Sequence, residues 1–320
     1  MILRFFAAVL ALVMAFPAAA QSFPVTISHA YGETTIPSAP QRIVVWGWSS
    51  GEAAIALGTV PVGMPTARSE GFDGDLPPWV LDAVAALGAQ TPQLLDDSAN
   101  PPIEQIASLR PDLILAIYSG ITEAEYAQLS SIAPTVAFPE GPWQASWQQV
   151  IEITGEALGK TEAAQTMVAD LEQFIADEGM SRPELAGTSF VTLLDYNDAL
   201  AIHSADDARV KMLIGAGMTT PDKPEGAGDS AAFWYPMSYE LFDQIPADVI
   251  IAFFSTQSAS AAFLDKPFVS LGPWKDQGSL LVMDDRLLNM AIIPGNALSL
   301  RWGLPTYLDR IAAAARAAQQ

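Results

Sequence analysis

The sequence predicts an α/β protein of two parallel-sheet α/β lobes, joined by one long α-helix, with a cleft between the lobes. Three observations predict this fold. Apolar strand-like runs alternate with helical segments in both halves, which is typical of parallel sheets covered by helices. One phrase recurs in similar form, first as IEQIASLRPDLILA from Ile103 and then as YELFDQIPADVIIA from Tyr239. Between the halves, apolar residues at helical spacing over Thr161 to Glu178 predict a single helix of about 25 Å.

Composition limits the classes of function that the chain can serve. The chain has 320 residues, 50 % of them apolar, which is enough for one large or two medium domains. It contains no cysteine, so a disulfide, a thiolate metal site and a cysteine nucleophile are all excluded. Its net charge of −21 disfavours nucleic acid and anionic membrane surfaces as partners.

The first residues, MILRFFAAVLALVMAFPAAAQS, predict a secretory signal peptide over residues 1–20. Arg4 supplies the positive start, Phe5 to Phe16 form the apolar segment, and Ala18 to Ala20 match the small-residue cleavage pattern. A membrane anchor is disfavoured because the apolar run is too short to span a bilayer comfortably. No cysteine follows that could carry a lipid. We therefore expect a periplasmic protein that is not lipid-anchored and begins at Gln21.

The first lobe, assigned to residues 21–159, begins with a β-hairpin that turns near Tyr31 and Gly32. A buried strand and a helix follow, and the helix has a serine N-cap and Gly58 as its C-cap. Strand and helix then alternate as far as a helix that opens with a capping box of Ser146 and Gln149. In order, the segments are VTISHAYGETTIP, RIVVWGW, SSGEAAIALG, TVPVGMP, IEQIASL, DLILAI, TEAEYAQLSSIA, TVAFP and SWQQVIEITGEALG.

The linking helix is assigned to residues 160–181 and the second lobe to residues 182–320. Pro183 and Gly187 end the helical pattern, and a strand then restarts the alternation. The segments of the second lobe are SFVTLLDY, DDARVKMLIGAG, MSYELFDQI, ADVIIAFF, SLLVMD and the terminal helix SLRWGLPTYLDRIAAAARAA.

Large aromatic residues follow the predicted strands in both halves. In open parallel sheets, ligands bind outside the carboxyl ends of the strands. Any one of these aromatics could be ordinary packing, but their recurrence favours a wide aromatic cleft suited to a ligand with a flat or apolar periphery. The expected cleft residues are Trp46, Trp48, Tyr118, Tyr196, Trp234 and Trp274.

Side-chain metal ligation and hydrolysis are both disfavoured. The two histidines, His29 and His203, have no spacing that would bring them together on a metal. We therefore expect no resident cofactor, and any iron would arrive already chelated. The sequence contains no G-x-S-x-G, G-x-G-x-x-G or P-loop motif, so we expect no enzyme. An exported hydrolase using two carboxylates is the less favoured alternative.

Glu104 and Glu240 occupy the same position in the repeated phrase. A single glutamate at a helix start is explained by the helix dipole, which it complements by about 0.3–1 kcal/mol. Two at matched positions, one in each lobe, suggest docking to a two-fold partner with basic sockets. We expect both to lie beside the amino ends of the strands, solvated and pointing away from the cleft mouth.

These features together resemble the iron-siderophore periplasmic binding proteins of ABC importers, the group that includes the ferric hydroxamate, ferric enterobactin and vitamin B12 binding proteins. The resemblance covers most of the first lobe and the linker. It is looser in the second lobe, where MSYELFDQIPADVIIAF and the final helix carry it. The matching segments are RIVVWGWSSGEAAIALGTVPVG, PPIEQIASLRPDLILAIYSGITEAEYAQLSSIAPTVAFP and SWQQVIEITGEALGKTEAA. Within them, LRPDLILA…GIT…EYAQLSSIAPTV is strongly characteristic of the group.

The resemblance implies a monomer that holds a ferric siderophore between its lobes and docks on an inner-membrane permease dimer. By position, Glu104 and Glu240 would engage arginines of the paired permease subunits. Tyr118 matches a cleft position in relatives, and Arg68 and Arg301 are candidates for chelate-binding arginines. Because basic residues are scarce, we expect a hydroxamate or mixed-donor siderophore rather than a trianionic catecholate. A haem or cobalamin carrier of the same fold stays open.

Overall fold

Two five-stranded sheets, one in each half of the chain, are joined by a single helix in the computed structural model. The model describes residues 23–67, 75–97, 100–228 and 233–319. The residues of the predicted signal peptide lie outside these ranges. In the described part of the chain, no helix is both long and apolar enough to cross a membrane.

The first lobe begins with an antiparallel hairpin and continues as an all-parallel sheet. The hairpin strands are β1 (Val25–His29) and β2 (Gly32–Ile36). The sheet has the order β5-β4-β3-β6-β7, so the first strand of the sheet lies at its centre. Its strands are β3 (Ile43–Val45), β4 (Gly63–Pro65), β5 (Gln93–Leu95), β6 (Leu113–Leu115) and β7 (Thr135–Val136).

The helices of the first lobe follow its strands in sequence. Two of them open with a capping box, formed by Thr122 with Glu125 and by Ser146 with Gln149, which satisfies backbone N–H groups at each helix start. The helices are α1 (Ser50–Ala56), α2 (Pro78–Ala86), α3 (Ile103–Ser108), α4 (Glu123–Ser130) and α5 (Trp147–Ala157).

The sheet of the second lobe is mixed rather than wholly parallel. Its first strand turns back at Asn197 and Asp198, whose φ values of 52° and 58° favour a tight hairpin. Strands β8, β11 and β12 are parallel, whereas β9 runs antiparallel to its neighbours. The order is β10-β9-β8-β11-β12, with β8 (Phe190–Tyr196), β9 (Ala199–His203), β10 (Trp234–Met237), β11 (Val249–Phe253) and β12 (Leu280–Met283).

The remaining helices comprise the linking helix and those of the second lobe. The linking helix is α6 (Thr161–Met180), and the terminal helix is α12 (Ser299–Ala318). The helical part of the second phrase, Tyr239–Gln244, is a 3-10 helix and not an α-helix. The others are a 3-10 turn at Pro183–Leu185, α7 (Ala208–Gly215), α8 (Gln257–Leu264), α9 (Pro267–Ser270), α10 (Pro273–Gln277), α11 (Arg286–Met290) and a π-helical turn at Ala291–Gly295.

One apolar core runs across α6 and connects the lobes. Val168, Leu171 and Ile175 of α6 belong to a buried cluster that draws residues from both halves of the chain. Close approach of α5 to α6 depends on Gly155, because a Cβ there would lie 2.2 Å from the Cβ of Ala164. The link is therefore a packed helix rather than an exposed tether.

The repeated phrase has a matched structural role in the two lobes. The Asp112 carboxylate accepts hydrogen bonds from the backbone N–H groups of Gln41 and Arg42, both at 2.8 Å, at the entrance to β3. The Asp248 carboxylate accepts from the N–H and the hydroxyl of Ser189, at 2.8 and 2.6 Å, at the entrance to β8. Each aspartate thus ties the strand it precedes to the start of the central strand of its sheet.

Candidate ligand cleft

Three aromatic side chains form a cluster at the carboxyl edge of the first-lobe sheet. Trp48 follows β3, Tyr118 follows β6 and Trp143 follows β7. The ring centroids lie 4.9 Å apart for Trp48 and Trp143, 5.5 Å for Tyr118 and Trp143, and 6.2 Å for Trp48 and Tyr118. We call these three residues the aromatic cluster. Trp143 is 42 % exposed, so the cluster presents apolar ring surface to solvent.

Two glycines allow the loops under this cluster to approach closely. Gly47 has φ +84°, and a Cβ there would lie 2.3 Å from the carbonyl oxygen of Tyr118. That carbonyl accepts the N–H of Trp48 at 2.9 Å. At Gly120 a Cβ would lie 2.5 Å from the indole nitrogen of Trp143. Side chains at either position would therefore push the aromatic rings apart.

Two cavities meet at Trp143. The first, of about 590 Å³, lies against the first lobe, and its lining includes Trp46, Trp48, Pro101, Ile121, Glu125 and Trp143. The second, of about 470 Å³, lies between the lobes, and its lining includes Tyr118, Trp143, Gln149, Asp207, Arg209 and Phe233. Both volumes fall in the range of small-molecule sites.

The second lobe contributes a buried ion pair to this cleft at the start of α7. Nε and Nη2 of Arg209 donate to the two carboxylate oxygens of Asp207 at 2.8 and 2.7 Å. Burial alone would raise the pKa of the Asp207 carboxyl, but the hydrogen bonds and charge of Arg209 outweigh it and hold that pKa below its usual range. The guanidinium of Arg209 also lies 5.8 Å from the ring centroid of Phe253. Asp207 thus holds the planar guanidinium of Arg209 in one orientation through two hydrogen bonds, so Arg209 is a fixed cation.

Tyr118 stays a neutral hydrogen-bond donor. Burial raises the pKa of its phenol to about 12, with Arg209 opposing the shift and Asp207 adding to it. The two lobes are therefore electrostatically coupled across the cleft. A neutral hydroxyl and a guanidinium can both donate to oxygen atoms of a ligand.

The structure brings together half of the aromatic residues expected from the sequence. Trp46 is 8 % exposed and lines the larger cavity, whereas Trp48 and Tyr118 belong to the aromatic cluster. The other three expected residues do not line these cavities. Tyr196 ends β8 at the hairpin turn and is 57 % exposed. Trp234 lies on β10 and pairs with His203 of β9. The residue before it, Phe233, lines the cleft in its place. Successive side chains of an extended chain alternate in direction, so the two neighbours face opposite ways.

The expectation that Trp274 lines the cleft is wrong. Trp274 is 8 % exposed and packs in the second-lobe core, with its ring centroid 6.4 Å from that of Phe242. It lies on the short helix α10, which packs on the second-lobe core, so the indole enters that core and not the cleft. The indole therefore contributes to folding of the lobe.

The two expected arginines do not supply the observed cation. Arg68 lies outside the described residues. Arg301 places its guanidinium 5.1 Å from the ring centroid of Phe174, on the linking helix, and lines neither cavity. Arg301 lies in the first turn of α12, where its side chain contacts the linking helix and not the cleft.

The sequence analysis missed Trp143 and Arg209. Trp143 follows β7 within EGPW, so the rule that ligand residues follow strand ends could have found it. Arg209 carried a weaker signal, namely one of few basic residues placed at a helix start beside an aspartate N-cap.

Glu104 and Glu240 are both exposed, one in each lobe, but their expected location is wrong. The chain leaves β5 at the carboxyl edge of its sheet, and Asn100 and Pro101 line the larger cavity just before α3 begins. In the second lobe, the hydroxyl of Tyr239 donates to Asp195 near the carboxyl end of β8 at 2.6 Å. Helix starts in these units lie where the preceding strand ends. Both glutamates therefore lie on the side of the strands' carboxyl ends, although neither lines a cavity described above.

Both histidines have structural partners, in different lobes. His29 lies 2.9 Å from the hydroxyl of Thr34, and His203 lies 2.9 Å from that of Thr192. Burial lowers the pKa of both imidazoles. Within the described ranges, no group of three or more His, Cys, Asp or Glu side chains could hold a metal ion.

Known relatives are similar in sequence to this chain over most of its length. A probable siderophore-binding lipoprotein of Bacillus subtilis, YfiY, is 33 % identical over 74 % of this chain and 70 % of its own length. The Fe(3+) dicitrate-binding periplasmic protein FecB of Escherichia coli is 26 % identical over 64 % of this chain and 65 % of its own length.

A solved structure shares the fold over nearly the whole chain. It is that of PiaA from Streptococcus pneumoniae in complex with ferrichrome, with a TM-score of 0.80 and 27 % identity, and the match covers 91 % of this chain and 99 % of that one. The sequence profile described as "Periplasmic binding protein" matches residues 43–266, which contain both sheets up to β11. This chain therefore belongs to the periplasmic binding protein family.

Proposed function

We propose that this protein captures a ferric siderophore in the periplasm and delivers it to an ABC importer of the inner membrane. The observation that carries the proposal is the aromatic cluster of Trp48, Tyr118 and Trp143 facing the Asp207–Arg209 pair across one cleft. Rings bind the organic periphery of a chelate, while a fixed guanidinium and a neutral phenol can donate to its oxygen atoms.

The comparisons support the ligand class without naming the ligand. YfiY is a probable siderophore-binding lipoprotein, FecB is a ferric dicitrate-binding protein and PiaA was solved with ferrichrome. These ligands are all iron held by oxygen-rich chelators. In this chain, iron would likewise be cargo that enters already chelated, because the carboxylates of the described cleft are not gathered into a group of three or more that could hold the bare ion.

Charge favours a chelate of low net charge. The cleft lining contains five carboxylates but only two cations, Arg209 and Lys211, and Asp207 already neutralises the guanidinium in part. A trianionic ferric catecholate would need several more cations. We therefore propose a hydroxamate or mixed-donor ferric siderophore as the ligand.

Export and docking complete the proposal. The protein is made with a signal peptide that is removed after Ala20, and it acts as a free monomer. Glu104 and Glu240, exposed on the carboxyl sides of the two sheets, meet basic sockets on the two permease subunits. Because these glutamates and the cleft lie on the same side of the strands, docking would present the ligand to the permease.

A ligand screen by tryptophan fluorescence tests the function. Ferric hydroxamate, mixed-donor, citrate and catecholate chelates, haem and cobalamin would be titrated into the mature protein, because absorbing chelates quench nearby indoles. We expect saturable quenching with the ferric hydroxamate or the mixed-donor chelate at micromolar or lower concentration. Saturation by haem or cobalamin alone would replace the siderophore proposal with a carrier of that ligand, and no saturable quenching by any of the six would overturn it.

A further inference from the structure

A third, smaller cavity lies beneath Trp48 and is lined by both lobes. Its volume is about 60 Å³, room for about two water-sized groups. The first lobe contributes Ser49 and Glu52 of the α1 start and Trp79 of α2, and the second lobe contributes Met290 and Asn296. Because Trp48 borders both this cavity and the larger first-lobe cavity, a ligand arm passing that indole would reach it.

Glu52 is the one ionisable side chain among the described residues that line this cavity. The Glu52 side chain is half-buried, and burial raises the pKa of its carboxyl, with the nearby indole of Trp79 and backbone N–H groups opposing the shift. No ion pair to Glu52 is formed by the residues that the structure describes. The amide of Asn296 approaches Oε1 at 3.4 Å, which is a long contact. The carboxyl thus lacks a compensating cation within the described protein.

A second buried polar group lines the same cavity without a hydrogen-bond partner in the described structure. Ser49 is 2 % exposed, and its hydroxyl is unpaired. Buried polar groups are almost always paired, so an unpaired hydroxyl beside a cavity indicates a missing occupant. Ser49 also has φ +66°, a left-handed conformation that a non-glycine residue rarely adopts without a reason.

The remaining lining selects the chemistry of that occupant. Met64, Leu76 and Ile293 provide apolar walls, and Trp48 and Trp79 provide indoles, which attract cations. A carboxylate and a hydroxyl oxygen would accept hydrogen bonds from a primary ammonium. The volume accommodates an ammonium with one methylene, whereas a guanidinium would exceed it. An anionic or carbonyl-bearing arm is disfavoured, because its oxygen atoms would face the carboxylate of Glu52.

We propose that this cavity, lined by Glu52, Ser49 and Trp79, is a subsite that binds the terminal primary ammonium of an alkylamine arm of the ligand. The proposal deepens the proposed function and rests on it in taking the amine to be part of the chelate. The ammonium supplies the missing cation for Glu52 and donates to the Ser49 hydroxyl. The subsite would favour ferric siderophores that carry a free primary amine over analogues in which that amine is absent or acylated.

A titration with a simple amine tests the subsite without any chelate. The mature protein would be labelled with ¹⁵N at its tryptophan indoles and titrated with n-butylammonium chloride, with n-butanol as the uncharged probe of similar shape. We expect the Trp79 indole signal to shift saturably at millimolar butylammonium, with the Trp274 signal as the internal control. Butanol should bind at least ten-fold more weakly. No saturable Trp79 shift, or equal shifts with the two probes, would overturn the proposal.

Glu52→Gln is the matched variant, because it keeps the shape of the side chain and removes its charge. It should weaken butylammonium at least ten-fold and leave butanol unchanged. Should that variant fail to fold, Met290→Phe narrows the cavity from the opposite lobe and should weaken both probes. Unchanged butylammonium binding in a folded Glu52→Gln protein would overturn the proposal.

A pair of chelates separates the subsite from the function. Ferrioxamine B ends in a primary amine, and its N-acetyl derivative lacks the charge. We expect acetylation to weaken binding about ten-fold in the wild type and to have no effect in Glu52→Gln. Butylammonium binding with no ferric chelate binding would overturn the proposed function and leave the subsite standing. Chelate binding without butylammonium binding would overturn the subsite alone.

Discussion

The indoles of Trp48 and Trp143 lie with their ring centroids 4.9 Å apart, although 95 positions separate them in the chain. Each follows a strand of the same parallel sheet, and neither ring is fully covered by protein. The pair makes a rigid apolar surface at the cleft, held from below by Gly47 and Gly120. This surface is the feature on which ligand capture depends most directly.

Truncating either indole should weaken ligand capture. Trp48→Leu and Trp143→Leu should each lower affinity for the bound chelate about ten-fold, which corresponds to about 1.4 kcal/mol of lost ring contact. Isothermal titration with the chelate identified by the fluorescence screen measures the change. Trp274→Phe is the control, because that indole lies in the second-lobe core and its N–H has no hydrogen-bond partner among the described residues. An equal loss in Trp274→Phe would mean that the aromatic cluster has no special part in binding.

Arg209 should contribute through its geometry as well as its charge. Arg209→Lys keeps the charge but loses the fork that Asp207 fixes, so affinity should fall by about ten- to a hundred-fold. Lys211→Ala is the matched control, since Lys211 lines the same cavity and is exposed, with only a 3.8 Å contact to Asp206. Full affinity in Arg209→Lys would show that a point charge suffices. An equal loss in Lys211→Ala would show a general field effect.

Local patterns predicted the elements well where the periodicity is long. The terminal helix was expected over SLRWGLPTYLDRIAAAARAA and runs over Ser299–Ala318, and the linking helix shows the same agreement. The hairpin of β8 and β9 was missed because its turn, Tyr196 to Ala199, contains no glycine and depends on two left-handed residues. Helix spacing and apolar runs are encoded locally, whereas such a turn is stabilised by the strands that it joins.

Two identical tripeptides show why the cleft residues were harder to predict. The sequence Gly-Pro-Trp occurs at Trp143 and at Trp274. The first indole reaches the cleft because Trp143 has φ +60° and lies against Gly120, and the second packs on Phe242 in a lobe core. The tripeptide alone cannot distinguish these outcomes, because the distinction lies in what the rest of the fold places beside each ring. The sequence analysis selected the wrong one of the two.

His203 should make the protein less stable as the pH falls from 7 to 5. Burial, with Arg209 adding to it, lowers the pKa of its imidazole to about 3, against about 6.5 in an unfolded chain. Between these values the unfolded state binds the extra proton, so stability rises with pH and is lost on acidification. The loss from pH 7 to pH 5 is about 2 kcal/mol. Urea unfolding of wild type and His203→Gln at both pH values measures it, and the variant should lose correspondingly less.

The difference in unfolding free energy between wild type and His203→Gln cancels the contributions of the other titratable groups. Glu52, whose pKa is raised by burial, acts in the opposite direction, because its folded form keeps a proton to higher pH than its unfolded form does. His29 acts in the same direction as His203, and its contribution is measured by His29→Gln. Parallel pH profiles for wild type and His203→Gln would contradict the assignment to His203.

The lobes should move little when ligand binds. Their connection is the continuous helix Thr161–Met180, packed into a core that spans both lobes, and bending it would disrupt its hydrogen-bond ladder. Small-angle scattering of the free and bound protein should give the same radius of gyration within error. Ala169→Pro on the exposed face should break the helix at a cost of about 3 kcal/mol and allow a measurable change, whereas Ala169→Gly costs about 1 kcal/mol and should not. A large change in the wild type would mean that hinging occurs elsewhere.

Glu104 and Glu240 should serve delivery and not capture. Both carboxylates are exposed and neither lines a cavity of the cleft, so replacing both with alanine should leave chelate affinity and the free energy of unfolding nearly unchanged. Exposed single ion pairs contribute only about 0–1 kcal/mol, but partial desolvation at an interface raises the cost of truncation to about 2–5 kcal/mol. Iron uptake in cells should therefore be abolished or sharply reduced in the double variant and partly reduced in each single variant. Glu123→Ala, which removes an exposed glutamate from the start of α4 in the first lobe, is the matched control and should transport normally. Normal uptake by the double variant would mean that the two glutamates act only as helix-dipole partners. A loss of chelate affinity would mean that they belong to the binding site at the carboxyl ends of the strands.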